Sequence, residues 1–178
     1  MSFDPNIHHR KSIRLKGYDC SKAGLFFITI CCHERLPLFG TIVNGKMILN
    51  NAGRLAYMEW QKTQELRANI VLHEFVIMPN HFHAIVEIVG AHCMRPDSPN
   101  IKKTEQGRVQ RAPTVGDVIR GYKSAVTKSL RDLLGSPNTK IWQRNYYEHI
   151  IRNEAAYLKI ADYIQTNPQR WLEDNYYV

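Results

Sequence analysis

FVIMPNHFHAIVEI, residues 75–88, decides the fold. Two apolar runs meet across Pro79-Asn80, Val71 to Met78 before it and His81 to Val89 after it. So short a connection predicts two adjacent antiparallel strands. In a strand, alternate side chains point to opposite faces. One face of the second strand is then Phe82, Ala84, Val86 and Ile88, wholly apolar and suited to a core. The other face carries His81, His83, Ile85 and Glu87. On an antiparallel sheet with one wet side, those two histidines would be ordinary polar residues facing water. Side by side at about 6–7 Å, they also have the spacing of two ligands for one metal ion, with a third required from elsewhere.

Working outward, Leu25 to His33 alternates, with Phe26, Ile28, Ile30 and Cys32 on one side, and reads as a half-buried strand. Asn44-Gly45 between Thr41-Ile42-Val43 and Met47-Ile48-Leu49 predicts a tight hairpin. Ala52 to Arg67 suits a helix packing through Leu55, Ala56, Met58 and Trp60. Thr114, with Asp117 three residues on, predicts a helix N-cap. The helix behind it aligns Val115, Val118, Ile119, Tyr122, Val126, Leu130 and Leu133, with Arg120, Lys123, Thr127 and Arg131 on the opposite side. Lys140 to Ile150 is expected to be extended, and a last helix runs from about Asn153 to Asn167, where Pro168 stops it. Strands interleaved with helices predict one α+β domain, an antiparallel sheet with helices packed on it. Residues 1–20 are expected to form a basic N-terminal arm. The proline-bearing, aperiodic residues 90–113 are expected to form a mobile loop.

The balance of 24 Lys+Arg against 16 Asp+Glu gives a net charge of +8, which favours a polyanionic partner. Arg10, Lys11, Arg14 and Lys16 form one cluster, and Arg120, Lys123, Lys128 and Arg131 belong to a second; both are candidate phosphate contacts. Phe3, Tyr18 or Tyr122 offer rings for stacking on bases, with core or surface packing as the alternative. The longest apolar run, Leu25 to Cys32, is too short to cross a bilayer, and the first residues lack a signal-peptide core. A cytoplasmic location without a membrane partner is expected. Cys20, Cys31, Cys32 and Cys93 contain no CxxC pair, which disfavours a structural zinc site.

On the final helix Tyr163 and Asn167 are four residues apart and share a face, with Lys159 one turn earlier. An amide oxygen suits a hard divalent cation, and a cation beside a tyrosine favours the phenolate. The pair also reads simply as a half-buried aromatic and an asparagine closing the helix. Tyr146, Tyr147 and Tyr157 are rival tyrosines.

VIMPNHFHAIVEI together with WQRNYYEHIIRNEAAYLKIADYIQTNP closely resembles the single-tyrosine HUH transposases, and best the branch of REP-associated tyrosine transposases. RKSIRLKGYD, LFFITICCHER and GDVIRGYKSAVTK carry the same likeness, so it spans most of the chain. The resemblance implies a ferredoxin-like or RRM-like fold, and metal-dependent cleavage and rejoining of single-stranded DNA beside a hairpin. It implies His81 and His83 as metal ligands and Tyr163 as the nucleophile that forms a 5′-phosphotyrosine. It also implies Asn167 as third ligand, where many insertion-sequence relatives have Gln, and magnesium or manganese as the metal. Relatives of both kinds, dimeric and monomeric, leave a monomer or a homodimer. The alternative function is a non-catalytic RRM-like nucleic-acid-binding module using the same basic surface, although neither HAIVEI nor FFITICC resembles an RNP strand.

Overall fold

The computed structural model describes residues 23–89 and 114–177. The basic arm and the loop expected at 90–113 lie outside them, and with the arm go Arg10, Lys11, Arg14 and Lys16. The elements in chain order are strand β1 (Gly24–Cys31), hairpin strands β2 (Gly40–Val43) and β3 (Lys46–Leu49), helix α1 (Asn51–Glu65), strands β4 (Ile70–Ile77) and β5 (His81–Ile88), helix α2 (Val115–Leu134), strand β6 (Tyr147–Ile151) and helix α3 (Glu154–Thr166).

Four strands form one antiparallel sheet in the order β4-β5-β1-β6. Leaving out the separate β2–β3 hairpin, this is the ferredoxin-like β-α-β-β-α-β arrangement, so the expected α+β class holds. β1 and β5 are the central strands. Their register pairs Cys31 with His81 and Thr29 with His83, which puts these four residues on one face at one end of the sheet. The opposite face, with Phe26, Ile28, Ile30, Phe82, Ala84 and Val86 fully buried, packs under α1 and α2.

Local chemistry accounts for the elements. Asn44 and Gly45 both take positive φ, 50° and 70°, which the two-residue turn between β2 and β3 requires. Asn50 caps α1 by accepting from the Gly53 amide at 2.9 Å. Gly53 lies against the chain before the hairpin, where an added Cβ would run into the Phe39 carbonyl. Thr114 and Asp117 form a reciprocal capping box on α2, and Gly135 closes that helix in the left-handed region at φ 60°. Two packing expectations fail. Met58 is exposed because it lies two residues, about 200° around the helix, from the buried pair Ala56 and Trp60. Leu133 is exposed with Leu134 in the last turn of α2.

The second face of the sheet is not wet. α3 covers it, and Ile85, Ile151, Ala161 and Ile164 form a smaller core there with Phe27, Val76 and Ile160 packed around them. The chain does not end its helical course at Pro168. It tightens into a 3-10 stretch, Asn167–Glu173, with Pro168 in its first turn, where a missing amide hydrogen costs nothing. That continuation returns the last described residues to the His81 end of the sheet.

Candidate active site and metal centre

His81 and His83 are 0% and 1% exposed, with ring centroids 4.5 Å apart. Burial on a covered face replaces the water-facing role that simple strand alternation allowed. Each ring is held through Nδ1. His81 Nδ1 lies 2.8 Å from Asn80 Oδ1, and His83 Nδ1 lies 2.8 Å from Thr29 Oγ1. The Nε2 atoms are left facing α3 and the chain beyond it. There Tyr163 brings its hydroxyl to 3.1 Å from His83 Nε2 and donates to Asp174 Oδ2 at 3.2 Å. Asn167, one turn further on, donates to the same Asp174 oxygen at 2.6 Å. Asp174 is held in turn by the Tyr176 amide, which donates to Oδ1 at 2.7 Å.

The ligand-capable atoms of His81, His83 and Asp174 all lie within 4.8 Å of one another, so this group could hold a metal ion. A second observation supports the fit. His81 Nε2 and Asn167 Oδ1 are buried and find no hydrogen-bond partner among the described residues. A buried polar atom left unpaired costs roughly 1–3 kcal/mol, and a divalent cation would engage both. Two imidazoles with oxygens from a carboxylate and an amide make a mixed N/O donor set.

The electrostatics point the same way. Burial, helped by the positive Arg35, pushes His81 down to about 3. Burial and the neighbouring His81 hold His83 well below the usual histidine range, against the pull of Asp174. Both rings are therefore neutral at pH 7, the form that ligates metals. Tyr163 moves in the opposite sense. Burial, then the Asp174 charge and its hydrogen bond, raise its hydroxyl above the ordinary tyrosine value. As it stands, Tyr163 is a protonated phenol.

The rival tyrosines are committed elsewhere. Tyr157 donates to Glu74 at 2.6 Å and lies 3.3 Å from His73, and this pairing raises it to about 12. Tyr146 donates to Glu148 at 2.9 Å. Tyr147 is half exposed on β6, its ring edge-on to Phe27. Lys159 is exposed on α3.

Sequence reasoning missed the last turn of the site. Besides Asp174, Tyr176 lays its ring on His81 with centroids 4.6 Å apart, and its carbonyl accepts from Asn80 Nδ2 at 2.8 Å. Arg35 clamps this segment from the other side, donating to the Asn175 carbonyl at 3.2 Å and lying 5.5 Å over the Tyr176 ring. A carboxylate beyond the last α-helix carries no periodic signal; its one visible mark is the acidic pair Glu173-Asp174 between aromatics, Trp171 and Tyr176.

The basic residues of α2 line a cleft of about 1280 Å³ between that helix and residues 135–146. Arg120, Lys123, Lys128 and Arg131 are joined there by Lys140 and Arg144, which the helical pattern did not reveal. Lys123 donates to the Gln143 carbonyl at 2.5 Å and to the Asn145 carbonyl at 3.3 Å, and so braces the cleft wall. Arg131 similarly donates to Thr139 at 3.1 Å, and Arg120 pairs with Asp117 at 3.1 Å. The Gln143 amide bonds the Cys31 carbonyl at 2.9 Å, and Cys31 is the register partner of His81. The cleft wall is thus joined to the strand end that carries the histidines. Trp142, whose indole donates to the Lys123 carbonyl at 3.2 Å, packs on Phe39 and Tyr122 rather than standing free. Tyr122 itself is 2% exposed, which makes it a core residue. Among the described residues no helix is long and apolar enough to cross a membrane.

No family model matches the chain. An uncharacterized protein of Haemophilus influenzae (strain ATCC 51907 / DSM 11121 / KW20 / Rd) is 41% identical over 177 residues, covering 99% of this chain and 97% of that protein. Among solved structures, the REP-associated tyrosine transposase bound to a REP hairpin is similar with a TM-score of 0.56. The likeness covers 84% of this chain and 69% of that one, at 21% identity.

Proposed function

The chain belongs to one family with the Haemophilus influenzae protein and has a REP-associated tyrosine transposase-like fold, and on that premise we propose that it is a DNA transposase or endonuclease acting on single strands. It cleaves and rejoins DNA through a covalent 5′-phosphotyrosine on Tyr163. The observation that carries this reading is the Tyr163 hydroxyl, 3.1 Å from His83 Nε2 and 3.2 Å from Asp174, beside two buried acceptors without partners among the described residues.

His81, His83 and Asp174, with the Asn167 amide oxygen, would hold magnesium or manganese. When bound, the cation supplies Lewis-acid polarisation of the scissile phosphate and favours the phenolate. The Tyr163 oxygen attacks phosphorus, and its proton has an anionic acceptor in reach, Asp174 Oδ2. As the Tyr163 O–P bond forms, the P–O3′ bond breaks and the 3′-oxygen leaves to take a proton from water. The covalent link keeps the phosphodiester energy, so attack by a 3′-hydroxyl reverses the step without ATP. Phe27, edge-on to the Tyr163 ring at 6.2 Å, and the small core against which Tyr163 packs keep the nucleophile beside His83.

The cleft of Arg120, Lys128, Arg131, Lys140 and Arg144 contacts the phosphates of the DNA, with Arg10, Lys11, Arg14 and Lys16 as further contacts from the arm. Because the similar structure holds a REP hairpin, a strand beside a hairpin is the substrate form to try first. The protein works where the DNA lies, in the cytoplasm at the nucleoid, as a monomer or a homodimer.

The test is a denaturing gel of protein incubated with labelled single strands and manganese or magnesium. A protein–DNA adduct is expected that needs the cation and disappears in Tyr163→Phe and in His81→Ala. An adduct that survives Tyr163→Phe refutes the choice of nucleophile. Tight binding with no adduct on any strand supports the non-catalytic binding module instead.

A further inference from the structure

We propose that Asn80 is a positioning residue that fixes the tautomer of His81, so that its Nε2 lone pair faces the metal site before any cation arrives; this rests on reading that site as a metal centre. Asn80 is fully buried, and its amide has one consistent orientation. Nδ2 donates to the Tyr176 carbonyl at 2.8 Å, which leaves Oδ1 against His81 Nδ1 at 2.8 Å. A turned amide would set two carbonyl oxygens against each other. An amide oxygen accepts and cannot donate, so His81 Nδ1 must carry the hydrogen. The opposite tautomer would press two lone pairs together and bury an N–H at Nε2 with no acceptor in hydrogen-bond reach among the described residues.

His83 is held less strictly. Its Nδ1 partner is the Thr29 hydroxyl, which can donate or accept, so Thr29 tolerates either tautomer. The lock therefore sits at His81, and it closes only when the chain near Tyr176 returns to the sheet. Residues that orient a metal-bound histidine change metal affinity by about 10–100-fold when removed.

The test uses metal-stripped full-length protein at pH 7. Nitrogen-15 spectra of the histidine rings report which nitrogen is protonated, manganese titration followed by electron paramagnetic resonance reports affinity, and circular dichroism checks the fold. In the parent protein His81 is expected as the Nδ1–H form. Asn80→Ala should mix the tautomers and weaken manganese binding about 10–100-fold. Asn80→Asp, which keeps an oxygen for His81 but loses the donor to the Tyr176 carbonyl, should keep the Nδ1–H form. A parent protein with His81 in the Nε2–H form overturns the proposal. So does an Asn80→Ala protein unchanged in both tautomer and affinity, or a folded Asn80→Asp protein with His81 in the Nε2–H form. Should Asn80→Ala unfold, the parent spectrum and Asn80→Asp decide it. A correct tautomer and manganese binding without any DNA adduct would instead count against the nuclease reading and leave Asn80 its role.

Discussion

Acid should destabilise this protein through His81, by an amount that follows from its burial. In an unfolded chain a histidine titrates near 6.5; in the folded protein His81 titrates at about 3. A histidine with a depressed folded value contributes stability that is complete above pH 6.5 and is lost as the pH falls, because the unfolded state takes up the proton first. At pH 5 the unfolded ring gains about 1.5 pH units of binding advantage. At about 1.36 kcal/mol per unit, that is a loss of about 2 kcal/mol. The loss would reach roughly 4 kcal/mol at pH 3 and approach about 5 kcal/mol below it. Against a typical total of about 5–15 kcal/mol, the effect at pH 5 is readily measured. Urea unfolding of metal-stripped protein at pH 7, 6 and 5 gives the slope, and His81→Gln at the same pH values removes this titration while leaving the paired carboxylates. The stability difference between parent and variant should shift by about 2 kcal/mol between pH 7 and pH 5 against the parent, roughly 1 M in urea midpoint. Parallel curves, with the difference constant to within about 0.5 kcal/mol, would refute the claim that this ring is buried and neutral.

Two further substitutions probe the site and the cleft. Asp174→Asn should lower the Tyr163 pKa towards the ordinary tyrosine value, seen as a tyrosinate absorbance change that Tyr163→Phe abolishes, and should weaken manganese binding; a titration identical to the parent's would show that the carboxylate does not act on Tyr163. Lys140→Ala with Arg144→Ala should weaken binding of single strands and flatten the dependence of log affinity on log salt by about 0.7 for each lost phosphate contact, with an unchanged slope excluding the cleft from the DNA path.

What the residues revealed in advance tracks how local the determining physics is. The Asn44-Gly45 turn, the Thr114–Asp117 capping box and the Pro79-Asn80 connection each act within four residues, and the structure places all three as their chemistry requires. The alternation of Phe26, Ile28 and Ile30 also reported its face correctly, because only one layer of helices had to be inferred. That the last helix sits on the sheet could be read from its apolar stripe, but not which residues it covers: Ile85 and Ile151 become core only because α3 folds over them, and that is a property of the path between distant elements. The same holds for Asp174 and Tyr176. Their relation to His81 is set by a 3-10 stretch that turns the chain back, and no spacing rule links them. Lys140 and Arg144 were hidden for another reason: they stand on an irregular segment whose shape comes from Lys123 reaching its carbonyls.

The site's oddities share one cause. Placing the histidines on the two-sided, covered middle of a sheet strips them of water, which keeps them neutral and ready to ligate. The same dryness raises the Tyr163 hydroxyl above its usual range and leaves His81 Nε2 and Asn167 Oδ1 without partners among the described residues. Each of these is a cost in the folded protein taken alone, and they differ in sign: the unpaired atoms call for positive charge, and a buried phenol resists becoming negative. A single divalent cation held by His81, His83 and Asp174 would answer both, since it would accept the lone pairs and favour the phenolate. Burial alone would argue for three unrelated compromises. The ligand atoms of His81, His83 and Asp174 lie within 4.8 Å of one another at the end of the two central strands, with the Tyr163 hydroxyl 3.1 Å from His83, so one ion held there would meet these demands together.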